Sequence, residues 1–326
     1  MKHNSSYIKY ILSLFVAVVL LYFSFKDVHW NDFIESLKQC NWGYLVIAFF
    51  IGIFAFYIRG LRWRILLLPV DENISKITSI NAINIGNISN FIFPRIGEFI
   101  RCGVITKKSQ KIASFDKVLG TVVMERSWDL IGLFLSISLV FILMWNEVSA
   151  FFIENIFSSI SKMMTIRLVL ILGLIFLCIG SSVFLLWKFR EKWQITKKIY
   201  EVLIGIISGF LSGLKVKKKW LFLLYTAFIW TLYWAMSYFS ILALPQLANL
   251  NAADALFLMM VGSLGWLVPV PGGIGSYHFI VATALSTVYG LPFEVGIIFA
   301  TISHESQTLS MILTGGLSYL YESLTS

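Results

Sequence analysis

Six apolar runs of membrane-crossing length, near 8–25, 43–60, 118–145, 167–187, 220–244 and 293–320, restrict this chain to one kind of solvent. About 20 such residues in a helix cross a hydrocarbon core, where backbone amides must find their partners within the protein. The runs are continuous rather than alternating, so they read as helices and not as the strands of a barrel. Only 13% of the 326 residues are charged, where a soluble domain carries about a quarter. The expected class is an all-α polytopic membrane protein.

Two more apolar regions, 77–105 and 252–289, are interrupted. The first contains Pro94-Arg95-Ile96-Gly97-Glu98-Phe99-Ile100-Arg101, and the second Pro269-Val270-Pro271-Gly272-Gly273-Ile274-Gly275-Ser276-Tyr277-His278. Their arms are short for a full crossing, so both regions read as re-entrant hairpins. Non-helical backbone is tolerated at such depth only where protein or a cavity satisfies it. Each half of the chain then reads span, span, hairpin, span. Three spans per half is an odd number, which inverts the second half and makes the hairpins enter from opposite sides. Proline and glycine breaks at matching places in two inverted halves point to a transporter binding site at mid-membrane. The expected organisation is a single integral membrane domain over 1–326, with half-repeats 1–160 and 161–326. It has about six full transmembrane helices plus two oppositely oriented re-entrant hairpins. Segments 26–42 and 190–216 mix apolar and charged residues and read as interfacial amphipathic helices.

The net charge of +9 invites a nucleic-acid reading, but its distribution argues against one. Lys and Arg concentrate at 59–76 (Arg59, Arg62, Arg64, Lys76), 106–117 (Lys107, Lys108, Lys111, Lys117) and 188–219. The opposite side holds Lys26, Lys38, Lys162 and Arg167. This asymmetry puts both termini in the cytoplasm of an inner-membrane protein. The N-terminal run lacks a small-x-small cleavage site and continues into Lys26-Asp27, so it reads as a retained span. Cys40, Cys102 and Cys178 are scattered and imply neither a disulfide framework nor a metal site.

Ionisable groups at membrane depth are costly and are functional candidates by default. Arg95, Glu98 and Arg101 lie on the first hairpin, and Glu125, Arg126 and Asp129 in the span after it. His278 follows the second break, and His304 and Glu305 lie in the final span. Glu98 and Arg126 are spaced for a salt bridge, echoed by His278 and His304 as a hydrogen-bonding pair. Arginine's planar fork suits phosphate oxygens. The Gly272, Gly273, Gly275 and Ser276 backbone at a helix start offers N–H groups to an anion. Together with Arg95, Glu98, Arg101 and Arg126, these residues form a candidate site for an anionic head group; the bland reading is that Arg126 only neutralises Glu98. Glu98, Glu125, Asp129, His278, His304 and Glu305 are candidates for gating or proton coupling. No metal or other cofactor is assigned, since no tight ligand spacing joins the histidines to Glu305 or Glu98. Asn81, Asn84, Asn87 and Asn90 recur every third residue, as interhelical glue or the lining of a polar path. Trp63, Trp145, Trp187, Trp220 and Trp266 fall near span ends and read as an interfacial belt.

Catalytic signatures are thin, and no soluble segment of any size is present; the expected protein is not an enzyme. The leading reading is a transporter of anionic membrane lipids. Two alternatives stand beside it: a membrane-embedded enzyme on lipid-linked phosphates, and a non-transporting partner of an envelope-building enzyme.

The chain resembles the lysylphosphatidylglycerol synthase transmembrane-domain family, also called flippase-like. That family includes the membrane half of multiple peptide resistance factors. Asn87, Asn90, Pro94, Arg95, Gly97, Glu98 and Arg101 match an Asn-rich helix leading to Pro-x-Arg-x-Gly-Glu-x-x-Arg. Glu125, Arg126 and Asp129 match Glu-Arg-x-x-Asp, and Pro269, Pro271, Gly272, Gly273 and Gly275 match Pro-x-Pro-Gly-Gly-x-Gly. Many members have Glu where this chain has His278 and Arg near His304, so a polar pair is kept while a fixed charge pair is lost. The family's synthase chemistry lies in a separate soluble domain that this sequence lacks. The resemblance therefore implies lipid translocation rather than synthesis.

Overall fold

Every regular element among the described residues is a helix. The computed structural model describes residues 2–26, 28–109, 112–146, 149, 181, 194–214 and 216–325. Cys178 and, Ser181 aside, the expected span at 167–187 lie outside them. The elements are α1 (Lys2–Phe25), α2 (Trp30–Gln39), α3 (Trp42–Leu67), α4 (Lys76–Ile92), α5 (Gly97–Lys108) and α6 (Phe115–Leu143). After them come α7 (Gln194–Leu214), α8 (Lys219–Leu242), α9 (Ala252–Leu267), α10 (Ser276–Tyr289) and α11 (Phe293–Leu324). Helices α3, α6 and α8 are each long and apolar enough to cross a membrane, and α1 with α2 gives a fourth such unit across an 85° bend. The chain is a multi-pass membrane protein, and its regular structure among the described residues is helical throughout.

Helix α3 shows how sequence chooses a face. Val46, Phe50, Phe54 and Tyr57 are exposed along one side, as lipid-facing residues should be. The opposite side buries Ala48, Gly52, Ala55, Arg59, Arg62, Trp63 and Leu66, at the three- and four-residue intervals of one helical stripe. Its small residues admit close neighbours: a Cβ at Gly52 would come within 2.8 Å of Ser310 on α11, and one at Gly60 within 2.6 Å of Ile80 on α4. Small residues that let backbones approach drive helix association in lipid. The expected loop at 59–76 is corrected here, since α3 continues to Leu67 and carries Arg59 and Arg62 into the interior.

Local rules create both breaks. Phe93 precedes Pro94 and is extended at φ −143°, as the residue before proline must be when the α region is sterically disfavoured. Val268 and Val270 precede Pro269 and Pro271 and are extended likewise. Gly272 and Gly275 have φ of 58° and 81°, a region costly for any residue with a Cβ. Beyond each break the chain folds back on itself. A Cβ at Gly97 would fall on the carbonyl oxygen of Gly86, and one at Gly265 would lie 2.8 Å from the Cα of Tyr277. The Ser276 hydroxyl lies 2.8 Å from the Gly265 carbonyl oxygen. The same sequence interval separates Gly86 from Gly97 and Gly265 from Ser276. Gly97→Val is therefore expected to destabilise the protein by about 1–3 kcal/mol through overpacking. Thermal unfolding in detergent checks this, and an unchanged midpoint would refute backbone contact at this crossing.

Helix α3 lies against α8, α11 against α4, and α6 against α9. Helix α7, expected to be only interfacial, packs backbone to backbone on α6, where a Cβ at Gly120 would strike the Ile206 carbonyl oxygen. Two asparagines of the α4 stripe act as glue to α11: Asn81 donates to Glu322 at 2.8 Å and Asn84 to Ser318 at 3.0 Å. Asn90 turns back and accepts the Gly97 N–H at 2.8 Å, holding the first break. Trp145 and Trp220 are exposed near helix ends, as the aromatic-belt reading expects. Trp63 is not a belt residue: it is fully buried and donates from Nε1 to Thr121 at 3.1 Å.

Candidate functional site

Glu125 and Asp129 stand one turn apart on α6 and face the arginines of α3 and α5. Glu125 is completely buried. Its Oε2 accepts from Arg101 Nη1 at 2.6 Å, and its Oε1 lies 3.3 Å from Arg62 Nη2 and 3.7 Å from Arg59 Nη2. Arg62 also reaches Asp129 at 2.6 Å. Arg126 continues the network outward, binding Asp129 at 3.2 Å and Glu98 at 3.1 Å. The expected Glu98–Arg126 salt bridge is thus present. Charges taken out of water need both partners and hydrogen bonds to be tolerated, and each carboxylate here faces at least one guanidinium.

The network is graded from interior to surface. The Arg62 and Arg101 side chains are 0% and 3% exposed, whereas Arg126 is 38% exposed. Arg101 lies over the ring of Trp63 at 4.6 Å, a cation–π contact that stiffens its orientation. Four guanidinium groups meet three carboxylates, leaving one positive charge. Arg62 Nε and Nη1, Arg101 Nε and Nη2, and Arg126 Nε are buried without a hydrogen-bond partner among the described residues. Glu98 Oε2 is an acceptor in the same position, so unpaired donors of the network outnumber its unpaired acceptors by five to one.

Arg59 and Arg62 were missed as site residues, because at the end of an apolar run they count naturally as loop charges. A signal was available: they fall on the stripe that Ala48, Gly52 and Ala55 had already marked as facing protein.

Arg95 joins the two breaks. It has φ of 65° and donates from Nη2 to the Leu267 carbonyl oxygen at 3.0 Å, at the end of α9. Phe91, just before the first break, lies against Gly272 of the second. The second break is closed in this conformation. Trp266 covers Gly273, and Gly275 meets the α1 backbone, where a Cβ would sit 2.8 Å from the Ala17 carbonyl oxygen. The hydroxyl of Ser276 lies inward near the carbonyls of Gly265 and Gly273. Gly272, Gly273, Gly275 and Ser276 are thus brought together beneath a cover, linked to the first break through Arg95 and Phe91.

His278 and His304 are also brought together, with ring centroids 5.0 Å apart. They do not form the expected hydrogen bond to each other. His304 Nε2 lies 2.9 Å from the Gly272 carbonyl oxygen, and its Nδ1 lies 3.1 Å from Glu305 Oε1. Trp266 stacks on His304 at 5.2 Å. Glu98, considered with these histidines, is held by Arg126 instead.

A family model described as the lysylphosphatidylglycerol synthase TM region matches residues 10–315. Comparison with curated proteins and with solved structures gave no match.

Proposed function

The chain belongs to the lysylphosphatidylglycerol synthase transmembrane-region family, and on that footing we propose that it moves an anionic lipid across the inner membrane. The lipid carries a phosphate or an aminoacylated head group. One observation carries this reading: a buried network with more guanidinium donors than acceptors opens outward through Arg126. Acceptor oxygens of a head group would satisfy those donors, and arginine presents them in a planar fork suited to phosphate. Arg95, Arg101 and Arg126 bind the anion, with Arg59 and Arg62 as the buried support. Glu98, Glu125 and Asp129 compete for the same guanidinium groups, so a head group displaces some of these pairs as it passes.

The topology we propose has six full spans and two re-entrant hairpins, with both termini cytoplasmic. Arm length supports the hairpins: α4, α5, α9 and α10 have 17, 12, 16 and 14 residues, or about 18–26 Å at 1.5 Å per residue against a core of about 30 Å. Packing supports two inverted halves. Exchanging the halves turns the α11–α4 contact into the α6–α9 contact and returns the α3–α8 contact to itself. Withdrawal of α1 and Phe91 from the second break would expose the Gly272, Gly275 and Ser276 amides at the start of α10, a place suited to an anion, while those of Gly273 and Ile274 already donate to Val270 and Pro271. His278, His304, Glu305 and Glu98 would gate that movement or carry protons with it. We read the protein as a transporter, not an enzyme.

The experiment is head-group accessibility in proteoliposomes, with labelled phosphatidylglycerol, its lysylated form, a polyprenyl phosphate and phosphatidylcholine. Faster crossing of one or more of the first three, without phosphatidylcholine, is the expected result. Equal crossing of all four lipids, or of none by folded protein, would overturn the reading.

A further inference from the structure

Lys219 is the last Lys or Arg in the chain, so the segment from α9 to α11 that carries the second break contributes no permanent cation of its own. We propose that His278, His304 and Glu305 form a binding site there for a divalent transition-metal ion of the zinc class. The proposal does not depend on the lipid reading, and a bound ion would take the place of protons on these three side chains. One donor atom from each of the three lies within 4.8 Å of the other two.

The hydrogen bonds of His304 supply the argument. A carbonyl oxygen only accepts, so Nε2, 2.9 Å from the Gly272 carbonyl, carries the ring proton. The neutral ring then presents the lone pair of Nδ1 directly to Glu305 Oε1 at 3.1 Å. Two acceptors at that distance need a proton between them, on the ring or on the carboxyl, or a cation bound to both. Thr308 Oγ1, 3.4 Å from Nδ1, is too distant to satisfy that nitrogen well. His278 supplies a second, separate observation. The residue is 3% exposed and its Nδ1 is buried without a hydrogen-bond partner among the described residues. One ligand shared by the two rings accounts for both features.

The arrangement also has the supports a metal site needs. A metal-ligating histidine donates its other N–H to a carbonyl or carboxylate, which fixes its tautomer; Gly272 does this for His304. Trp266 and Tyr277 pack on His304, and Phe25 and Tyr277 on His278, holding both rings in place. Two imidazoles and one carboxylate suit zinc and neighbouring ions, leaving a coordination position open. The Glu305 side chain is 51% exposed, so one of the three ligands is not enclosed by protein. The ion would supply at the second break the positive charge that arginines supply at the first.

The test uses the full chain in detergent, stripped with chelator, reloaded with Zn²⁺ or Co²⁺ and desalted. Elemental analysis counts the bound metal, and the visible spectrum of Co²⁺ reports nitrogen and oxygen ligation in the wild-type protein. Retention of one ion per chain is expected. His278→Ala and Glu305→Gln should each weaken binding about tenfold or more, since even loss of an outer-shell partner costs that much. Half-exposed Glu305 keeps the test meaningful if His278→Ala fails to fold. His29, Asp32 and Glu294 form another possible ligand group at the surface, and His29→Ala should leave binding unchanged. Folded wild-type protein that retains no ion would overturn the proposal. Metal that survives both site variants, or is lost with His29→Ala, would overturn it equally.

Discussion

Glu125→Gln is expected to cost the folded protein about 3–5 kcal/mol, the usual penalty for removing one partner of a buried ion pair. Glutamine keeps the volume and removes the charge. Arg101 at 2.6 Å, Arg62 at 3.3 Å and Arg59 at 3.7 Å then share an uncharged neighbour. Of the three only Arg62 keeps another carboxylate, Asp129, which it shares with Arg126, and Arg62 and Arg101 cannot turn to water, since they are almost wholly buried. Folded proteins hold only about 5–15 kcal/mol in reserve, so yield and thermal midpoint in detergent should both fall sharply. Asp129→Asn should be milder, because Asp129 is 26% exposed and water can replace part of the lost interaction. A Glu125→Gln protein that melts like the wild type would show that the network does not brace the fold.

Arg126→Ala should do the opposite: lose transport and keep the fold. Its guanidinium is the exposed end of the network, and removing it leaves the Glu125 contacts intact. Hydrogen bonds to charged groups contribute about 1.5–3 kcal/mol each, so translocation should slow by about 10- to 100-fold. Arg126→Lys keeps the charge without the fork and should recover only part of the rate. The cost in stability comes from Glu98, 15% exposed and left without its partner. A Glu98→Gln/Arg126→Ala double variant removes that complication. Transport still lost in a stable double variant assigns the role to the guanidinium itself. Recovery of transport in the double variant would mean that Arg126 serves only to neutralise Glu98.

These two variants separate the bland reading from the functional one within a single network. The sequence pointed to Glu98 and Arg126 as partners because two unlike charges at membrane depth have few other solutions. It did not reveal that Asp129 also binds Arg126, or that the shared hub is Glu125.

Several features were legible for clear physical reasons. Continuous apolar runs made the chain a helical membrane protein, because lipid cannot hydrogen-bond a backbone. Proline placed both breaks, because the residue before it is forced out of the helical region. The Asn81 and Asn84 stripe announced a protein-facing side, and α11 occupies it.

What the sequence by itself determined is the class of solvent, the helical class, the two breaks and the need to pair the charges at membrane depth. Only the tertiary structure decided which charges meet, because pairing depends on helix faces that lie far apart in the chain. Arg59 and Arg62 read as loop charges until the burial of α3 set them against a carboxylate on α6. His278, His304 and Glu305 showed no ligand spacing until α10 folded back along α11. Neighbours in lipid are set by helix packing, and a linear count of charges carries no record of it.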